Sequence, residues 1–242
     1  MTIGNKIILR IKQLYTLTKL LLAWFVSFLK NDKNLWLISE RGHDARDNAY
    51  FFFIWLKENY PEINAKYIIS KKSKDLNRLK KWSRDIVYYR SFNHYVSIWK
   101  AKYLISTHIF GYAPDRILFT KIDRFFNIFR NKKKIFLQHG ITWFINESLL
   151  KNNNHLDLFV CGSQKEYEVI KSRFGYPEGV VQYTGFNRFD NLHDIYPKKQ
   201  ILVMPTWRMY IDRNNFEQSE YFSVYKEMLC SIQLSNLFVD SN

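Results

Sequence analysis

The residues best placed for chemistry in this chain are strand-end histidines, arginines and glycines, the equipment for handling a phosphate. His139 follows the apolar run Lys134–Gln138 and precedes Gly140. An imidazole at a strand end can act as a general base near neutral pH, or it can be a hydrogen-bonded end residue with no role in catalysis. His43 and His108 hold comparable places, whereas His94, His155 and His193 read as solvated or capping residues. Arg41, Arg188 and Arg208 also stand beyond apolar runs. A guanidinium fork matches phosphate oxygens, although each arginine suits a surface salt bridge equally well. Gly140, Gly162 and Gly185 stand where backbone N–H groups could approach an anion. The convergence points to a phosphate-bearing ligand.

These residues need strands to hold them. Short apolar runs recur at Leu35–Ser39, Ala65–Ser70, Ile86–Tyr89, Ala101–Ser106, Lys134–Gln138, Leu156–Cys161, Val180–Tyr183 and Ile201–Met204. Runs without polar alternation belong to strands covered on both faces. Helical stretches lie between them. One spans Asn48–Asn59 after the cap Asp47, and one spans Leu76–Trp82. A third spans Gln164–Phe174, with Ser163 and Glu166 as a capping box and Gly175 as the stop. The rhythm predicts an α/β fold with a doubly wound, mostly parallel sheet. Ligands of such sheets bind beyond the carboxyl ends of the strands. That rule selects Arg41 and Asn48 after the first run and Thr107 after the fourth. It selects Gly140 after the fifth, Thr184, Gly185 and Arg188 after the seventh, and Thr206, Trp207 and Arg208 after the eighth.

The chain has 242 residues, with 37 Lys+Arg against 22 Asp+Glu and a net charge of +15. Such a field attracts phosphates, nucleic acid or an anionic membrane. No nucleic-acid module is recognisable, so no nucleic-acid partner is expected. The basic stretch Lys57–Lys134, with Lys71, Lys72, Lys74, Lys80, Lys81, Lys132, Lys133 and Lys134, reads as solvated helix faces, or as one patch toward anionic lipid or polymer. The two cysteines do not make a disulfide framework, and Cys161 reads as a buried thiol in a reducing cytoplasm. No His/Cys cluster has zinc spacing. The dinucleotide, P-loop and nucleophile-elbow fingerprints are absent.

Residues 1–33 read as a basic amphipathic helix. Lys6, Arg10, Lys12 and Lys19 precede the apolar stretch Leu20–Leu29, and Lys30 closes it. That stretch falls well short of the roughly 20 residues a membrane span requires. Trp24 and Phe25 suit the headgroup region, so the expectation is a monotopic anchor on the cytoplasmic face of the membrane, with an ordinary packed helix and, last, a true span as the alternatives.

Taken in order, the strings SERGHDARDNAYFFFIWLKENYPEINAKYIIS, AKYLIST, FLQHGIT, DLFVCGSQKEYEVIKSRFGYPEGVVQYTGFNRFD and ILVMPTWR resemble the bacterial CDP-glycerol glycerophosphotransferase family, the teichoic-acid and capsule polymerases and primases. The match covers Asn34 to Arg208, and its specificity lies in the order and spacing of QHG, FGYP, TG-x-x-R-x-D and MPTWR. The resemblance implies a GT-B fold of two Rossmann-like domains. It implies transfer of glycerol phosphate from CDP-glycerol, or a related CDP-polyol, to a hydroxyl of a lipid-linked or polymeric acceptor, with release of CMP. It makes His139 the base that activates that hydroxyl. It places Thr184, Gly185, Arg188, Asp190, Thr206, Trp207 and Arg208 at or near an interdomain cleft. No resident cofactor is expected; a divalent ion could accompany the donor pyrophosphate. On this reading 34–199 is the acceptor-side domain and 200–242 begins a donor-side domain, truncated before most of it. A non-catalytic membrane-bound module that binds acceptor polymer or lipid is the alternative.

Overall fold

Where sequential runs are apolar on both faces, a sheet covered by helices on both sides is the structure that satisfies them. A computed structural model describes residues 3–29, 34–193, 202–205 and 210–231 of the chain. Its strands are β1 Leu35–Ser39, β2 Ala65–Ile69, β3 Ile86–Tyr88, β4 Ala101–Ser106, β5 Lys133–Phe136, β6 Leu158–Cys161 and β7 Val181–Tyr183. All pair in parallel in the order β3-β2-β1-β4-β5-β6-β7. The expected doubly wound α/β fold is what forms. Chain direction across the sheet reverses between β1 and β4, which opens a crevice at their carboxyl ends.

Alternate strand residues serve opposite faces. Ile38, Tyr67, Ile69 and Ile105 pack with Phe53 and Leu56 of helix α2, Asn48–Asn59. Helix α1 is Ile3–Ser27, α3 is Phe92–Lys100, α4 is Arg116–Phe126 and α5 is Gln164–Arg173. Leu37, Ile68 and Leu104 pack with Leu20 of α1, Ile98 of α3 and Phe119 of α4. Phe136, Phe159 and Cys161 pack with Ile170 of α5. Helices α3 and α4 have clear N-caps, in which Ser91 accepts from His94 N and Asp115 from Leu118 N. Their bodies are rich in aromatic and β-branched residues, which weakens the local helix signal. Leu76–Asp85 is a 3-10 stretch broken at Trp82 rather than an α-helix.

The expected eighth strand does not form over Leu202–Met204, and Ile201 lies outside the described residues. Leu202 and Met204 are largely exposed. An apolar run becomes a strand only when a neighbouring strand supplies ladder partners, and none stands beside it among the described residues. The chain divides into two compact units after His193. The second contains helix α6, Glu220–Leu229, capped by Ser219.

Buried polar groups correct two sequence readings. His94 is neither solvated nor simply capping but fully buried. Its Nδ1 accepts from Arg90 N at 3.0 Å, so Nε2 carries the proton and donates to Tyr112 O at 2.8 Å. Burial lowers it from 6.5 to about 4. Between those values the unfolded chain binds more protons than the fold, so stability is full above pH 6.5 and is lost as pH falls toward 4. The shift corresponds to about 3 kcal/mol. Urea midpoints measured between pH 7 and 4 should fall along that window, and His94→Gln should flatten the slope. An unchanged slope in the variant would remove His94 from the account.

Lys134 is likewise not on a solvated face. It is buried and bonded to Asp123 at 2.5 Å, which ties β5 to α4. Lys132 is partly buried, and its Nζ donates to Trp99 O and Ala101 O.

Candidate active site

The loop after β1 is shaped by Glu40. Its buried carboxylate accepts from Arg46 N at 2.9 Å and Asp47 N at 2.6 Å, and burial raises its pKa. These bonds deliver Asp47 and Asn48 to the start of α2. Asn48 is fully buried. Its Nδ2 donates to Leu137 O at 3.2 Å and Gln138 O at 2.8 Å, and its Oδ1 accepts from Arg188 N at 3.2 Å. One amide therefore joins the β1 loop, the end of β5 and the turn after β7.

Beyond β5 the chain turns sharply, with Gln138 in the left-handed region at φ 61°. That backbone is uncommon for glutamine and needs support from its surroundings. His139 emerges exposed from this turn. Its Nδ1 lies 2.8 Å from Thr107 O at the end of β4. A carbonyl can only accept, so Nδ1 is the donor, and in the neutral ring Nε2 is the nitrogen with the lone pair. The His108 ring stacks on that of His139, with centroids 4.0 Å apart and planes at 14°. Thr107 Oγ1 sits 3.0 Å from His108 Nδ1. Burial pushes His108 down to about 3, and His139 and the Arg41 and Arg116 guanidiniums act in the same direction. His108 is thus neutral at pH 7, and the pair can stack without like-charge repulsion.

Arg188 backs the turn. Its Nη1 donates to Asp47 Oδ1 at 2.5 Å and to His139 O at 3.3 Å. Its guanidinium also lies over the rings of Phe186 and Phe189. Arg41 is more open, pairs with Asp44 at 2.9 Å and has a side chain 53% exposed. At Gly140 the space a Cβ would occupy is empty. Gly185 has φ 78°, and its N–H donates to Cys161 O at 3.2 Å. Gly162 N donates to Glu166. These last two amides are committed within the fold.

The structure thus brings Asn48, Thr107, His139, Gly140 and Arg188 together, with Arg41 near His108. Thr184, whose hydroxyl donates to Gly185 O, and the exposed Asp190 lie on the β7 side, outside this hydrogen-bond network. Thr206, Trp207 and Arg208 lie outside the described residues. Sequence reasoning did not single out Gln138, Thr142 or Arg116, and took Asp47 and Glu166 only as helix caps. It also passed over Trp143 and Phe144, both exposed in the segment after His139. In the string QHGIT the adjacent Gln138 and Thr142 were in view, but nothing local marks them as bonded to α5.

The model of the family described as CDP-Glycerol:Poly(glycerophosphate) glycerophosphotransferase matches residues 20–228. The minor teichoic acid biosynthesis protein GgaB of Bacillus subtilis (strain 168) is 33% identical over 213 residues, which is 82% of this chain and 23% of GgaB. The chain therefore spans about a quarter of the length of that curated relative. A structure of the wall teichoic acid polymerase TagF, soaked with CDPG for 30 minutes, is similar with a TM-score of 0.50 at 14% identity, over 90% of this chain and 62% of that one. A second TagF structure gives a TM-score of 0.47 at 12% identity, over 78% and 49%. The first of these two is a likeness of fold alone.

Proposed function

The chain belongs to the CDP-glycerol:poly(glycerophosphate) glycerophosphotransferase family, and from that footing we propose that it moves glycerol phosphate, or a related polyol phosphate, from a CDP-polyol to a hydroxyl of a lipid-linked or polymeric acceptor. The product extends or primes a teichoic acid or capsular polysaccharide. The acceptor oxygen attacks the polyol-bearing phosphorus, the bridging P–O bond breaks, and CMP leaves with that bond's electron pair. His139 Nε2 takes the hydroxyl proton. The observation that carries the reading is the bond from His139 Nδ1 to Thr107 O, which in the neutral ring assigns the proton to Nδ1 and the lone pair to Nε2. Most of the barrier in phosphoryl transfer is lowered by positioning and charge stabilisation. Arg41, Arg188 and Arg208 are the proposed cations for that task, and Thr184, Gly185, Asp190, Thr206 and Trp207 are proposed as further substrate-binding residues. The step as written draws on the substrates and His139 and calls for no resident cofactor. We assign 34–199 to the acceptor side and 200–242 to the donor side. CMP release from CDP-glycerol in the presence of acceptor-bearing membranes tests the proposal. Vesicle binding without CMP release would favour a non-catalytic acceptor-binding module.

The same reading places the protein peripherally on the cytoplasmic face of the membrane through α1. No described helix is long and apolar enough to cross a membrane. One side of α1 is packed: Leu20 and Ala23 are buried, and Trp99 Nε1 donates to Leu20 O at 2.8 Å. Leu14, Leu21, Trp24 and Phe25 are exposed, on a helix whose charged residues are all basic. Each Lys or Arg near an anionic surface adds about 1 kcal/mol of attraction. Because α1 also covers the core, deleting it would unfold more than an anchor, so point substitutions are the cleaner test. Trp24→Ser with Phe25→Ser should weaken cosedimentation with phosphatidylglycerol vesicles, and raised salt should weaken it for the unaltered chain. Salt-independent binding that survives the double substitution would refute the assignment.

A further inference from the structure

We infer that Glu166 is a positioning residue for the base: its carboxylate, through the Gln138–Thr142 turn, holds His139 against Thr107. The inference rests on the reading of His139 given above. Ser163 and Glu166 have the spacing of a capping box, in which the glutamate would bond back to the cap residue's own N–H. Ser163 Oγ does accept from Glu166 N. The carboxylate goes elsewhere. Oε2 accepts from Gly162 N at 2.7 Å, and Oε1 accepts from Thr142 N at 2.7 Å and from Gln138 Nε2 at 3.2 Å. One fully buried carboxylate thus grips the residue before His139 and the end of the same turn, and fastens both to the start of α5.

The turn needs such a grip. Gln138 sits at φ 61°, a backbone that L side chains rarely adopt. Its side chain closes the turn from inside, with Oε1 accepting from His139 N at 3.1 Å and Nε2 donating to Thr142 Oγ1 at 3.0 Å. Without Glu166 this small loop is tied internally but loses its tether to α5. The bond from His139 Nδ1 to Thr107 O holds only while the turn keeps its place against β4, and that bond sets the tautomer. Burial raises the Glu166 pKa and the donated N–H groups oppose the rise. All of these partners are donors, as an ionised carboxylate requires.

Glu166→Gln tests this, because its new NH2 must face an N–H donor. Glu166→Asp keeps every acceptor but is shorter by a methylene. The imidazole 15N–1H spectrum of the full chain, with His139 assigned by its loss in His139→Asn, should show the Nδ1–H tautomer with a slowly exchanging proton. Glu166→Gln should shift it to the mixed, fast-exchanging tautomers of a free histidine, and Glu166→Asp should restore part of the signal. In the transfer assay, kcat for Glu166→Gln should fall about 10- to 100-fold, as expected for a misplaced catalytic group, with KM for CDP-glycerol nearly unchanged. If Glu166→Gln lowers only the urea midpoint and leaves tautomer and kcat unaltered, Glu166 is a helix cap and the inference is overturned. If Glu166→Gln does not fold, a Glu166→Asp spectrum identical to the parent's overturns it equally. A tautomer shift in a chain that releases no CMP would sustain the coupling and refute the transferase reading instead.

Discussion

His139→Asn is expected to lower the rate of polyol phosphate transfer by about 10²- to 10⁴-fold, the usual contribution of a general base. Asparagine is chosen because its Nδ2 can stand near the place of imidazole Nδ1 and donate to Thr107 O, as His139 does at 2.8 Å. The turn is then held while the basic nitrogen is lost. The urea midpoint should stay close to that of the parent chain, since His139 is exposed and buries little apolar surface. The effect should fall on kcat. KM for the CDP-polyol should change little, because the lost interaction develops as the proton moves. Steady-state CMP release against donor concentration measures both parameters. A His139→Asn rate within a fewfold of the parent rate would show that Nε2 is not the base. The acceptor hydroxyl would then have to lose its proton to another group or to solvent.

The largest loss of stability is expected from Asn48→Leu. Leucine is close to asparagine in size but neither donates nor accepts. The substitution leaves Leu137 O and Gln138 O without this buried partner, and Arg188 N without its partly buried one. A buried polar group left without a partner costs about 1–3 kcal/mol. Losses at these groups together amount to several kcal/mol, a large share of the roughly 5–15 kcal/mol that holds a domain folded. Urea denaturation followed by far-ultraviolet circular dichroism reads the loss directly. A change below about 1 kcal/mol would mean that the loops rearrange to satisfy these groups without Asn48. Asn48→Asp is a sharper companion, since a carboxylate in that place would face two carbonyl oxygens. Sequence reasoning placed Asn48 among the ligand-binding residues; its amide is in fact occupied by the protein itself.

The strands that carry the site were legible because burial on both faces leaves an unmistakable mark, the continuous apolar run. Leu35–Ser39 and Ala101–Ser106 were found to the residue, and the others to within a few residues. The caps Asp47 and Ser163 were legible for a related reason: each bonds N–H groups within a few residues of itself. Ile201–Met204 shows the limit of that signal. Its composition suits a strand, yet Leu202–Met204 lacks one because pairing depends on a neighbour rather than on composition. Lys134 shows the opposite limit. A lysine among lysines reads as solvated, and only the packing of α4 on β5 brings Asp123 within 2.5 Å of it.

By itself the sequence determined the parallel α/β architecture, the family motifs and the place of His139 at a strand's carboxyl end, because period, capping and motif spacing are properties of residues close together in the chain. Tertiary structure alone decided what each polar side chain does. The spacing of Ser163 and Glu166 reads the same whether the carboxylate bonds back to its cap or across to Thr142, some 24 residues away. Nothing near Arg188 in the chain shows that its guanidinium also pairs with Asp47, 141 residues away. His108 and His139 look independent until adjacent strands stack their rings. Hydrogen bonds and ion pairs act over a few ångströms, so their partners are set by which loops the sheet order brings together, and no local pattern encodes that order.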